Sequence, residues 1–129
     1  MGARIDIQEG IADLLTAQGY EGVTNRLLDG TNEGITVRRY PGAGQGDEDM
    51  DGTSHVPVNV QIVTRRLSEA QAMDEADAIR TLLYHRRIES ASGGYMTAPL
   101  HIYIEPQRIR LDNSGLTSFE LMVQADLTI

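Results

Sequence analysis

The residues best placed to do chemistry are Asp47, Glu48, Asp49 and Asp51, gathered in one short stretch and followed by Gly52. Oxygen ligands at alternating positions with a glycine at the sixth let a chain wrap a hard cation, so Asp47, Asp49 and Asp51 resemble the opening of a calcium loop. The twelfth position, where a bidentate Glu is needed, is Val58, and the residues that follow read as a strand rather than a helix. Without that ligand the acids suffice for weak cation binding at most, and a solvated acidic segment is the plainer reading.

Other constellations fall short of a site. His55, His85 and His101 stand on a loop, a helix and a strand, and none has the i, i+4 partner of a helical metal pair. No GxSxG elbow, GxxxxGK loop or GxGxxG turn is present, so nucleophilic catalysis and phosphate cradling have no visible machinery, and no cofactor is expected. Zero cysteines exclude disulfides, thiolate metal sites and a cysteine nucleophile. All 11 basic residues are arginine. Arg65 with Arg66, and Arg86 with Arg87, lack the interleaved aromatics of a nucleic-acid platform. A net charge of -8 opposes general attraction to phosphate. These arginines should be solvated or pair with acids of a neighbouring subunit.

With 129 residues, 40% hydrophobic and 23% charged, the chain is sized and composed for one folded domain over 1–129. No stretch reaches the roughly 18 apolar residues of a membrane helix, and no basic segment leads into an apolar signal core, so a cytoplasmic location is expected.

The elements that must position any site can be read from periodicity. Val56, Val58, Val60 and Ile62 alternate with polar residues, as a strand with one wet face does. Ser68 and Gln71 form a capping box opening a helix in which Ala72, Ala76, Ile79, Leu82 and Leu83 make one stripe. Asp6 and Glu9 suggest a second box before a helix from Ile7 to Gln18, with Gly19 as its stop. Residues 20–34 read as a connector with a helical turn near Val23 to Leu28. Ile35 to Tyr40 predicts a short strand with Ile35 and Val37 on one face.

Residues 41–55 hold four glycines and four acids without a base, which predicts a mobile loop. Beyond the glycine-rich linker at 90–94, Leu100, Ile102 and Ile104 predict a strand with these three facing inward and a bulge near Pro106. The turn Asp112 to Gly115 then leads to a strand in which Phe119 to Ile129 alternate, closing a hairpin. The expected fold is α+β, a two-layer sandwich of a four-stranded, mainly antiparallel sheet with two helices on one face.

Val37 to Gly42 (VRRYPG), the glycine-rich acidic insertion, and the strand and helix at Val58 to Leu83 (VNVQIVTRRLSEAQAMDEADAIRTLL), together with the closing hairpin, resemble the tail terminator and minor capsid (neck) proteins of long-tailed bacteriophages. The resemblance covers nearly the whole chain in element order. It implies a non-enzymatic virion protein that forms a six-membered ring on the head-proximal end of the tail tube, stops its polymerisation and meets the head-completion or connector protein. DNA would only pass through the lumen, repelled by the acidic segment, and no membrane is involved. Arg38, Asp47, Glu48, Asp49, Asp51, Arg65 and Arg66 are then candidates for the oligomer or lumen surface. Three alternatives stay open: another neck or head-completion protein, a small α+β module that binds a ligand on its polar sheet face, and a small metal-dependent enzyme using the loop at 47–55.

Overall fold

A computed structural model describes residues 6–25, 33–40, 47–48, 54–88, 96–97, 99–109 and 115–128. In chain order these form α1 (Ile7–Ala17), β1 (Val23–Thr24), β2 (Gly34–Tyr40), β3 (Asp47–Glu48), β4 (Ser54–Arg66), α2 (Glu69–Leu83), β5 (Met96–Thr97), β6 (His101–Ile109) and β7 (Thr117–Thr128).

One twisted sheet runs β1-β2-β4-β7-β5, with β3 also pairing β4 and β6 also pairing β7. The expected four antiparallel strands are present as β2, β4, β7 and β6, paired in that order. The sheet is wider and mixed, because β1 adds to β2 in parallel, pairing Val23 with Ile35 and Thr24 with Thr36. The helical turn expected near Val23 is therefore a strand; 26–32 lie outside the described residues. Gly22, at φ +72, turns the chain into β1, and a Cβ there would come within 3.2 Å of the Gly34 Cα, so the close approach needs glycine at this point.

Both helices cover one face. Ile7, Ile11 and Leu15 of α1 and Ala72, Ala76, Ile79 and Leu83 of α2 pack on Val58, Val60, Ile62, Leu121, Val123 and Leu127. The alanines bring the first turns of α2 close enough for the buried Thr64 Oγ1 to donate to the Ala72 carbonyl at 2.8 Å. Helix α2 begins as its capping residues require, the Ser68 hydroxyl accepting from the Gln71 amide at 3.3 Å. Helix α1 does not: Asp6 stands at its N-cap position and makes no side-chain cap hydrogen bond. It ends as expected, with Tyr20 N donating to Leu15 O and Gly19 N to Thr16 O around Gly19 at φ +93. That is the Schellman pattern.

Two further differences concern strand geometry. Within the segment read as a mobile loop, Asp47–Glu48 pair antiparallel with His55 and Ser54, so a short hairpin extends the start of β4; 41–46 and 49–53 lie outside the described residues. In β6 a register shift falls between Ile102 and Ile104, so Ile102 opposes Val123 of the helix-covered side while Ile104 opposes Met122 of the other. Ile104 is thus not an inward residue. The bulge inserts one position, and a one-residue slip exchanges faces.

Candidate interaction surface

The sheet face turned away from the helices carries the alternate residues of four strands: Thr36, Arg38 and Tyr40, then Asn59, Gln61, Val63 and Arg65, then Ser118, Glu120, Met122 and Gln124, and finally His101. A chain of side-chain hydrogen bonds crosses it. Arg38 Nε donates to Gln61 Oε1 at 2.7 Å, Gln61 Nε2 to Glu120 Oε2 at 2.8 Å, and Gln107 Nε2 to Glu120 Oε1 at 3.4 Å. This links β2, β4, β7 and β6. A second rung joins Gln124 Nε2 to Asn59 Oδ1 at 3.1 Å, and His101 meets Asp126 at 3.2 Å near the border.

These bonds explain a face that is polar yet withdrawn from water. Asn59 is 2%, Gln61 6% and Met122 3% exposed. A buried amide without partners would be destabilising by about 1–3 kcal/mol, and pairing across strands removes that cost. The guanidinium of Arg38 also lies 5.9 Å from the centroid of the half-exposed Tyr40 ring, extending the rigid plate to the β2 edge.

The sequence-predicted residues separate. Arg38 and Arg65 share the helix-free face, and Arg65 is only 8% exposed. Arg66, one residue on, turns to the helix side and grips Glu75 through two bonds of 2.6 and 3.0 Å, both side chains largely buried. The hydrogen bond that Arg66 donates to Glu75, helped by the nearby Glu33 and Glu21, holds the Arg66 pKa above its ordinary value. Burial and the same Glu75 raise the Tyr20 hydroxyl. Solvated strand-end arginines are therefore not what the chain makes: alternation sends the pair to opposite faces, and each is withdrawn from water. Asp47 and Glu48 enter the β3–β4 hairpin through their backbones, whereas Asp49 and Asp51 lie outside the described residues. Among the described residues no three His, Asp or Glu are arranged to hold a metal.

Two features carried no signal of their own in the sequence. One is a cavity of about 420 Å³ between α1 and β1, lined by Gln8, Glu9, Ala12, Asp13, Val23, Thr24, Asn25 and Val37. Its floor depends on the unforeseen strand β1. The other is the turn after α2. His85 adopts φ 57, a left-handed conformation that costs a non-glycine residue roughly 1–2 kcal/mol. Its amide donates to Leu100 O at 3.1 Å while Leu100 N donates to Arg86 O at 2.9 Å, and its ring stacks on Tyr84 at 4.0 Å between centroids.

The protein is thus a two-layer α+β domain whose polar residues are tied into a cross-strand plate. The family model for "Bacteriophage tail terminator protein" matches residues 9–129, from the first turn of α1 to the chain's last residue. The protein belongs to that family, one of structural virion proteins rather than a class of enzymes. Its fold is similar to a chain of a solved structure described as "Virion of native gene transfer agent (GTA) particle", with a TM-score of 0.67 and 15% identity over 95% of each chain. A search of curated protein sequences returned no match.

Proposed function

We propose that this protein is the terminator of a phage tail: copies close into a ring, six being the expected number, on the head-proximal end of the tail tube. There they stop its polymerisation and offer the opposite surface to the head-completion or connector protein. The single observation that carries this is the family match across residues 9–129, which takes in both helices and the sheet together. The helix-free plate supports it physically. A flat surface whose polar groups are already ordered loses little side-chain entropy when another protein covers it, and among the described residues no helix lies on that side. Arg38, Arg65 and the hairpin that begins at Asp47 are the groups we place at subunit or lumen contacts. Six copies of the acidic segment around the bore would repel the passing DNA phosphates.

Native mass measurement and negative-stain imaging over a concentration range, with and without purified tail tubes, test the reading. Rings, or density capping one end of a tube, are expected. A chain that stays monomeric and never caps a tube would refute it. Neutralising Asp47, Glu48, Asp49 and Asp51 together should leave tails assembled and lower infectivity; unchanged infectivity would remove the lumen role of that segment.

A further inference from the structure

Two unpaired charges lie at opposite borders of the sheet. On the β1 side, Asp13 lines the cavity and has no ion-pair or hydrogen-bond partner among the described residues. Glu9 lines the same cavity one helical turn away. Gln8, a third lining residue, has a buried Oε1 that accepts no hydrogen bond. The cavity thus gathers acceptors. Its 420 Å³ falls within the range of pockets that hold a ligand group, about 300–1,000 Å³.

On the far border, β6 is preceded by Leu100, and Leu100 pins the turn that follows α2 through its two backbone hydrogen bonds. Arg87 projects from that turn, exposed and without a partner among the described residues. Other arginines are engaged within the chain: Arg66 with Glu75, Arg80 with Glu105, Arg108 with Glu69 and Arg86 with the Leu82 carbonyl. Tyr84, half-exposed three residues earlier, stacks on His85 and has the Arg80 guanidinium 5.0 Å from its ring centroid. An exposed arginine without a partner among the described residues, carried on a turn pinned by two backbone hydrogen bonds, has the make-up of a protein-interface anchor.

We propose that neighbouring copies join head to tail by seating Arg87 of one in the α1–β1 cavity of the next, against Asp13, with Gln8 Oε1 as a further acceptor after rotation of its side chain. The assignment rests on the ring reading. Closed rings with one repeated contact need two different, complementary patches on each subunit. Sheet order supplies them, because α1 covers the β1–β2 border while the end of α2 reaches the β6 border. The chain's other exposed arginine without a partner among the described residues, Arg39, lies on β2 beside the cavity's own border and cannot serve a head-to-tail contact as directly.

Charge reversal in trans tests it. Arg87→Asp and Asp13→Arg should each raise the concentration at which rings form at least about tenfold, with melting temperatures close to the unaltered protein because both sites are exposed. Mixing the two variants should restore rings of alternating subunits, since the reversed cavity of one accepts the reversed turn of the other. Rings that persist in Arg87→Asp, or variants that stay dissociated when mixed, overturn the pairing while leaving the ring itself standing. Rings that form normally in both variants but no longer cap tubes would assign the turn to the tube protein and also overturn it. An unaltered protein that forms no ring removes the ring reading, and the pairing with it.

Discussion

At its centre the sheet is almost equally dry on both faces, and the two faces reach dryness by different means. On one, Val60, Ile62, Leu121 and Val123 are fully buried beneath two helices. On the other, Asn59, Gln61 and Met122 are 2–6% exposed with no helix of the described residues above them. The first is closed by apolar area, at roughly 25 cal/mol per Å² removed from water. The second is closed by its own long polar side chains, which bond to one another across strands. Burial alone therefore does not say what a surface is for. An apolar face once covered cannot be re-used without unfolding, whereas a hydrogen-bonded polar plate stays intact while a partner comes and goes.

The sharpest way to break this contrast is on the covered side. Ile62→Ala removes a fully buried side chain between α2 and the β7 residue Leu121, and the expected loss is about 2–5 kcal/mol in a urea melt. A loss below 1 kcal/mol would mean that the helices do not form a close-packed layer there. Next comes the polar bolt on the same side. Glu75→Ala leaves the largely buried Arg66 guanidinium without its carboxylate, for which we expect about 1–3 kcal/mol, less than for a fully buried pair because water reaches both groups. Arg66 and Glu75 replaced together should cost less than the sum of the two single changes.

On the polar plate the expected effect is smaller. Glu120→Ala removes the acceptor shared by Gln61 and Gln107 and should cost about 0.5–1.5 kcal/mol. Glu120→Gln, which can still accept one bond, should cost less. The same Glu120→Ala change should lower ring formation by more than its stability loss accounts for, if the plate meets a partner. Equal losses in both measurements would reduce the plate to a structural device.

These particulars also show what was legible in the sequence. The period-two runs at 56–62 and 119–127 and the alanine stripe of α2 named the covered face residue by residue, because period and burial agree wherever a strand meets one layer. Along Thr117–Val123 burial itself shows no such period, since all but Glu120 are buried, and there the alternation of the sequence rather than of burial marks the faces. Strand β1 was missed because two residues cannot show a period, and their pairing depends on Gly22 and on tertiary contact with β2. The β6 bulge was placed near Pro106, and a shift does fall between Ile104 and Gln107, but the shift that moved Ile104 lies before it. Arg38, Gln61 and Glu120 were legible as one face, not as one bonded chain: alternation gives the side, and only register gives the partner. For Arg66, alternation sets the face opposite Arg65, while capture by Glu75 depends on the crossing of α2. Arg87 reads as a solvated charge or a partner for a neighbouring subunit's acids, and nothing local in the sequence marks Asp13 as the residue we propose it meets.

The smallest prediction tests the seam between the faces, where β6 crosses from one to the other. Just past the first shift, Glu105 returns to the helix side and meets Arg80 with bonds of 2.9 and 3.0 Å, while Arg80 also lies 5.0 Å from the Tyr84 ring. The Arg80 hydrogen bond, with its charge, holds the Glu105 carboxyl below its usual 4.5. A carboxylate lowered on folding stabilises the folded state above its unfolded pKa, and that contribution fades as pH falls through the lower, folded value. Stability measured from pH 6 down to pH 3 should therefore decline slightly more steeply in the unaltered protein than in Glu105→Gln, with all of the difference below about pH 4.5. Both side chains are open to water, so 1 M salt should erase it. A difference that survives salt, or lies above pH 5, would place a buried carboxylate elsewhere in control of the acid limb and leave the seam held by the β6–β7 ladder alone.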